Sequence, residues 1–153
     1  MNASSASNTQ SFAVNNSTAS GINSASTNKG TASGENSIST NISTATGVNS
    51  AALNNGNASG EGSVAMNYSK ATGKGSVAIG LGTIASGEYS LSNGHETRAN
   101  NHDSHAEGYG TNASGDQSHT EGIVTTTNGL ASHAEGQGSI TGTNATASHA
   151  EGS

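Results

Sequence analysis

The sequence repeats itself every thirteen or fourteen residues, and this period restricts the fold more than any other feature. From Ser11 the units are thirteen residues long and begin with Ser. From Ser76 they lengthen to fourteen, and a unit of sixteen precedes Ser148. Helical-hairpin repeats need about 33 residues and propeller blades about 40. Thirteen residues suffice for two short strands and two tight turns, which make one rung of a solenoid whose rungs pair in parallel about 4.8 Å apart.

The composition agrees with an all-β coil that is too thin for a conventional core. Hydrophobic residues make up 29% of the chain, and Pro, Trp and Cys are absent. Globular domains are usually nearly half apolar, so a thick core is excluded. Absence of Pro fits strands that must donate hydrogen bonds to neighbouring rungs. We expect a single-strand β-solenoid of 13–14-residue rungs that forms one domain over 1–153, with a partial first rung in 1–10.

Side-chain parity separates each unit into two faces. Places one and three point to one side and places two and four to the other. The third place is always Ala, Ser or Thr, which suits a narrow interior. The large apolar residues at places two and four are therefore predicted to form a stripe outside the coil, within 11–103: Phe12, Val14, Ile38, Leu53, Val64, Met66, Val77, Ile79 and Leu91. Burying these nine side chains away from water would contribute a favourable hydrophobic free energy on the order of 20 kcal/mol before opposing terms are subtracted. We therefore expect a partner to cover them. The alternative is that they fill the coil's own interior, with Ser and Ala outside.

Several motifs resemble those of a known family. Gly-Ser-Val-Ala-Ile-Gly at 75–80, Gly-Ser-Val-Ala-Met at 62–66 and the recurrent Ala-Ser-Gly turns resemble the head repeats of trimeric autotransporter adhesins, the YadA-like heads. The resemblance implies a left-handed parallel β-roll in a homotrimer. It also implies that Val64, Met66, Val77 and Ile79 lie between chains. Ser-His-Ala-Glu-Gly, as at 104–108, is similar to modules of phage tail appendages and Gram-positive surface proteins.

Four His-x-Glu motifs replace the apolar pairs in 104–153. Their residues are His105, Glu107, His119, Glu121, His133, Glu135, His149 and Glu151. In the implied trimer they continue the interface, where we expect His and Glu to pair across chains. The alternative is an axial ring that holds Zn²⁺ or another transition ion. Acidification should charge stacked imidazoles and loosen this half. Catalysis is not expected, because identical rungs lack the two differently tuned environments that acid and base roles need.

Charge and pattern restrict the function further. The net charge is −6, and the four basic residues Lys29, Lys70, Lys74 and Arg98 form no cluster, which argues against nucleic-acid binding. No apolar run is long enough to insert into a membrane, and no cofactor motif is present. We expect no enzyme, but a structural and adhesive head module of a bacterial surface adhesin or phage tail fibre. It would be extracellular, on a cell surface or virion tail, and would bind a host-surface or matrix ligand through many weak contacts.

Two other functions remain open. The chain could be a filament subunit that stacks end to end, because terminal rungs expose unpaired strand edges. It could also be an ice-binding solenoid, because Thr recurs at the eighth place of many units and regular Thr rows on flat solenoids suit ice binding, although Asn57 and Lys70 interrupt this column and it lies next to a turn. The members of that column are Thr18, Thr31, Thr44, Thr83, Thr97, Thr111 and Thr125.

Overall fold

A computed structural model describes residues 3–152 and folds them into a parallel β-solenoid with no helix in this range. The first eleven strands are β1 (Ser5–Ala6), β2 (Phe12–Val14), β3 (Thr18–Ala19), β4 (Ala25–Thr27), β5 (Thr31–Ala32), β6 (Ile38–Thr40), β7 (Thr44–Ala45), β8 (Ala51–Leu53), β9 (Asn57–Ala58), β10 (Val64–Met66) and β11 (Lys70–Ala71). The remaining strands are β12 (Val77–Leu81), β13 (Ile84–Ala85), β14 (Leu91–His95), β15 (Arg98–Ala99), β16 (His105–Tyr109), β17 (Asn112–Ala113), β18 (His119–Thr120), β19 (Thr126–Thr127), β20 (His133–Glu135), β21 (Ile140–Thr141) and β22 (His149–Glu151). None of the described residues belongs to a helix that could span a bilayer.

The strands form two sheets of eleven strands each, one from the odd-numbered strands and one from the even-numbered strands. We call them the odd sheet and the even sheet. Each strand pairs in parallel with its counterpart one rung away. Val77 pairs with Val64 thirteen residues earlier and with Leu91 fourteen residues later. His133 pairs with His149, which accommodates the sixteen-residue unit. The predicted parallel solenoid and its rung lengths are confirmed.

Small side chains fill the space between the two sheets. The fully buried hydrophobic residues of the described range are all alanines, and those of successive odd and even strands touch in one cluster from Ala45 to Ala85. The Ser at place one of most rungs is also buried, and its Oγ donates to the carbonyl oxygen three residues earlier, as Ser63 does to Gly60 at 2.7 Å. These interior hydroxyls are thereby satisfied. The alternative that large apolar residues fill the interior is wrong, since Val77 and Ile79 are only half-buried and lie on the outer face.

The corners between strands hold backbone conformations that the repeat demands. Asn15, Asn28, Asn41, Asn54 and Asn67 occupy the same corner of successive rungs, all with positive φ. Asn tolerates this left-handed region better than most residues. Along this series, the side-chain Nδ2 of one Asn donates to the side-chain Oδ1 of the Asn in the next rung, with Nδ2–Oδ1 distances from 2.7 to 3.2 Å. This asparagine ladder stiffens the first half of the rod.

The Thr column predicted from the sequence does not exist as one column. Thr18, Thr31 and Thr44 lie on the outer face of the odd sheet, in register with Lys70 and Ile84. The other four lie one place before an odd strand and are fully buried: Thr83, Thr97, Thr111 and Thr125. The reason is where the fourteen-residue rungs gain their extra residue. It lies after place four, where β12, β14 and β16 extend to five residues, so the eighth place counted from Ser falls on different sites before and after Ser76.

Candidate functional site

The outer face of the even sheet carries two neighbouring rows of side chains. The first row runs through place two of every rung: Phe12, Ala25, Ile38, Ala51, Val64, Val77, Leu91, His105, His119, His133 and His149. The second row occupies place four: Val14, Thr27, Thr40, Leu53, Met66, Ile79, Asn93, Glu107, Glu121, Glu135 and Glu151. All seventeen residues predicted at the chain interface therefore lie on one face.

The apolar part of these rows is incompletely covered by its own chain. Phe12 is 57% exposed and Ile38 is 50% exposed. Val64, Val77 and Leu91 are half-buried, because in-register neighbours above and below cover their flanks and leave their outer ends open. The result is a continuous apolar strip along this face of the rod, and such strips usually mark contact surfaces.

The four histidines stack as a column in the first row. Successive ring centroids are 4.6, 4.7 and 5.0 Å apart, and the ring planes differ by 3°, 11° and 7°. The parallel register causes this arrangement, since it places identical residues about 4.8 Å apart with the same side-chain direction. The imidazoles thus present the same edge on every rung.

The glutamates approach the imidazole nitrogens without making full hydrogen bonds to most of them. Nε2 of His105 is 3.6 Å from Oε2 of Glu107, and Nε2 of His133 is 3.7 Å from Oε1 of Glu121. Both exceed the range of a hydrogen bond. Only His149 comes closer, with Nε2 3.2 Å from Oε1 of Glu135.

Three of the imidazoles therefore carry an unsatisfied polar atom. Nε2 of His105, His119 and His133 is shielded from solvent and has no hydrogen-bond partner among residues 3–152. Buried polar groups normally find a partner, so an orphaned one calls for an explanation. A ligand atom, a water or a second chain would each supply what these nitrogens lack.

Each His from 119 onwards lies between the Glu of its own rung and the Glu of the preceding rung. These groupings make three overlapping donor sets in which one atom from each residue lies within 4.8 Å of the others. The sets are Glu107, His119 and Glu121; Glu121, His133 and Glu135; and Glu135, His149 and Glu151. The axial metal ring, which the sequence offered as the alternative to pairing across chains, needs other chains, whereas all three residues of each set come from one chain.

The electrostatics at His119 favour a neutral imidazole. Burial lowers the pKa of His119 from its ordinary value of 6.5, and positive charge on His105 and His133 would lower it further. Glu121 and Glu107 oppose the shift but do not overcome it. At neutral pH the His119 nitrogen is thus available as an acceptor or a metal ligand. The same glutamates line an open groove with Gly108 and Gly122.

Some members of this face give no signal in the sequence. Ala25, Ala51 and Asn93 belong to the two rows, but small or polar side chains at places two and four show no hydrophobic pattern. The glycine column beside the Glu row was also missed, although Gly recurs directly after place four from Gly80 onwards. Neither a protein-family model nor a curated protein sequence matches this chain. Its function must therefore be inferred from the geometry and from the motifs themselves.

Proposed function

We propose that this chain is a structural and adhesive module of an extracellular homotrimeric fibre, on a bacterial surface or a phage tail. In this proposal it is a left-handed β-roll of the YadA-like kind, with the even sheet facing a threefold axis. One observation carries the proposal. The two rows on the even sheet expose a continuous apolar strip, which includes Val64, Val77 and Ile79, that the chain itself leaves half uncovered.

The shape of the strip supports three chains more than two. It consists of two adjacent rows on one narrow face, and around a threefold axis each row can contact a different neighbour. The repeats at 62–66 and 75–80, which resemble those of YadA-like heads, have their Val and Met or Ile in these two rows.

The His and Glu part of the rows would fix the register of the trimer. Sliding one chain by a single rung would place an imidazole or carboxylate against Leu91 or Asn93 of a neighbour. A polar group buried without a partner is costly, so the aligned trimer is favoured. Polar positions in otherwise apolar interfaces are the best-attested devices for selecting one register.

The odd sheet would then face outward and meet ligands. Its outer row changes in character along the rod, from Thr18 and Thr31 to Lys70, Ile84 and Arg98. A threefold rod presents every such side chain three times, so weak contacts with a host-surface or matrix ligand gain avidity.

Sedimentation of the full chain at several concentrations tests the proposal. We expect one trimeric species. The double variant Val77→Ser and Ile79→Ser should sediment as a monomer at concentrations where the wild-type chain is a trimer. The matched control Ile84→Ser, on the outer face of the odd sheet, should remain trimeric. Circular dichroism checks that each variant keeps its strands.

Other outcomes would contradict the proposal. A monomeric wild-type chain removes its basis, and a polydisperse polymer supports the end-to-end filament. An ice-binding function is disfavoured, because it needs an exposed row of threonines and four of the seven threonines in the suggested column are buried. Thermal hysteresis by the wild-type chain would nevertheless revive it and count against the adhesive module.

A further inference from the structure

We infer that the histidine and glutamate rows bind two divalent transition-metal ions per chain, with Zn²⁺ as the best-matched ion. The ligands of the first ion are Glu107, His119 and Glu121. The ligands of the second ion are Glu135, His149 and Glu151. Each ion has one imidazole and two carboxylates from a single chain, and its fourth position is open to water or to another chain.

The spacing of the ligand atoms suits a tetrahedral ion. Zn²⁺ holds nitrogen at about 2.0–2.1 Å and carboxylate oxygen at about 2.0–2.2 Å, so neighbouring ligand atoms lie about 3.4 Å apart. In the second proposed set, Nε2 of His149 lies 3.2 Å from Oε1 of Glu135, close to the tetrahedral value. The corresponding pair of the middle set, His133 and Glu121, is 3.7 Å apart. Both distances exceed the roughly 2.7–2.9 Å of a charge-assisted hydrogen bond.

The remaining ligand atoms need only small movements. In each set, one atom from every residue already lies within 4.8 Å of the others. Ring stacking holds His119 on both sides, with 4.6 Å between the His105 and His119 centroids and 4.7 Å between those of His119 and His133, and it holds His149 on one side, with 5.0 Å to the His133 centroid. The glutamates are half-buried or exposed, so their carboxylates can rotate toward an ion.

The orphaned Nε2 of His119 is a second, independent observation for the first ion. Nε2 of His119 is shielded from solvent and has no hydrogen-bond partner in the described part of the chain. A bound cation would give this atom a partner. Hydrogen bonding between chains would satisfy it too, but that arrangement does not require metal, and the two explanations therefore predict different metal contents.

Charge sets the number of ions. The four glutamates of the second row carry a formal charge of −4, and two divalent ions balance it. A third ion would occupy the middle set, whose Glu121 and Glu135 already serve the outer sets. It would also lie only about 4.8 Å from each neighbouring ion. We therefore expect alternate sets to fill and the middle one to stay free.

The donor types select the kind of ion. Imidazole suits Zn²⁺, Cu²⁺ and Ni²⁺, whereas Mg²⁺ and Ca²⁺ prefer sites made of oxygen alone. Because all protein ligands of each ion come from one chain, the expected stoichiometry per chain is the same for a monomer and for a trimer. Failure of the trimer proposal would leave the metal proposal standing, and the reverse also holds.

Zinc titration of the untagged full chain, freed of metal with EDTA, tests the inference. At neutral pH we expect two Zn²⁺ per chain by equilibrium dialysis, unaffected by excess Mg²⁺. The variants His119→Gln and His149→Gln should each lose one ion, with at least about a tenfold drop in affinity at that site. The double variant should lose both. His133→Gln removes the imidazole of the middle set and should keep both ions.

Controls keep the result interpretable. His95→Gln and His102→Gln alter exposed histidines outside the two rows and should bind two ions. Co²⁺ gives a second readout, since a tetrahedral site produces intense visible bands that the double variant should lack while its circular dichroism is unchanged. A wild-type chain that takes up no Zn²⁺ at micromolar concentration overturns the inference. So does zinc binding that persists in the double variant, or loss of an ion from His133→Gln.

Discussion

Replacing Gly60 with Ala should break the stack at one defined corner of the rod. Gly60 belongs to a column of glycines in which each residue lies against the backbone of the next. A Cβ on Gly60 would stand 2.6 Å from the carbonyl carbon of Gly73 and closer still to its oxygen. Both are backbone atoms, so no side-chain rotation can relieve the contact. The two rungs would have to move apart.

The size of the effect follows from the hydrogen bonds at that corner. Moving the carbonyl carbon from 2.6 Å to an ordinary contact of 3.4 Å requires a shift of about 0.8 Å, and clearing the nearer carbonyl oxygen requires more than 1 Å. That shift affects the bonds from Ser59 N and Gly60 N to the carbonyl oxygen of Ala71, which are 2.9 and 3.4 Å long. It also strains the interior bond from Ser63 Oγ to the Gly60 carbonyl. Losing three bonds at about 1 kcal/mol each lowers the free energy of unfolding by about 3 kcal/mol.

Two other glycines make matched controls for an assay by urea unfolding at fixed protein concentration. Gly142 has an ordinary φ and would meet only the Ala145 Cβ, at 4.0 Å, so Gly142→Ala should change the free energy of unfolding by less than about 0.5 kcal/mol. A Cβ on Gly62 would meet nothing closer than 4.0 Å, but its φ is 65°, so Gly62→Ala should cost about 1–2 kcal/mol. A Gly60→Ala chain as stable as Gly142→Ala would refute the idea that close backbone approach fixes this column.

Three further perturbations address the interior, the asparagine ladder and the histidine column. Ala78→Val overpacks the interior and should lower the free energy of unfolding by about 3 kcal/mol. Ala51→Val places the same side chain on the outer face of the same sheet and should leave that free energy nearly unchanged. Equal melting temperatures for the two variants would contradict this expectation. Asn41→Ala loses the ladder bonds and strains a φ of 54°, so it should unfold more readily than Asn41→Gly, which keeps the φ and loses only the bonds. The reverse order in urea would count against strain at this corner, and an Asn41→Gly chain as stable as the wild type would count against the ladder. Because burial lowers the pKa of His119, the metal-free fold favours its neutral form, and stability should be retained above pH 6.5 and lost as the pH falls below it. Hydrogen exchange in EDTA should show weaker protection of rungs 104–152 at pH 5 than at pH 7, and equal protection would disprove the expectation.

The solenoid could be predicted from the sequence because its period and its side-chain parity are both local. A strand alternates faces residue by residue, so Val77 and Ile79 must share a face that Ala78 does not. Once the rung length is known, the parallel register follows, and Val77 falls between Val64 and Leu91 as the repeat requires. No long-range information is needed for either step.

The site of the extra residue in the longer rungs could not be read from the period. Counting eight places from Ser aligned Lys70 with Thr83, whereas Lys70 pairs with Ile84 and Thr83 is buried. Gly80 carried the available clue, since its φ of 119° suits only Gly, and Gly recurs there in every longer unit. Corner geometry, and not strand pattern, decides such an alignment.

The asparagine ladder was missed for a related reason. Asn54 and the residue after it both have positive φ, with values of 51° and 61°. Two consecutive left-handed residues are unusual, and the hydrophobic pattern does not predict them. The sequence signal was the recurrence of Asn at place five in successive units, from Asn15 to Asn67. From Gly80 onwards, place five is Gly.

Stacking in register repeats the same kind of side chain along a column, so its effect on stability grows with the number of rungs. For this reason, the stability of the apolar half and of the His and Glu half of the even-sheet face should respond differently to pH and metal ions. A column of Val and Leu adds apolar area rung by rung, which makes association with a partner stronger with length and insensitive to pH. A column of imidazoles adds neighbours about 4.8 Å apart, so neutral rings pack while protonated rings repel one another. A cation bound by His119 and its glutamates keeps that ring unprotonated and gives its shielded Nε2 a partner. The half that begins at His105 is therefore the part of the rod whose stability protons and metal ions should control, while the half that ends at Leu91 holds its structure without them.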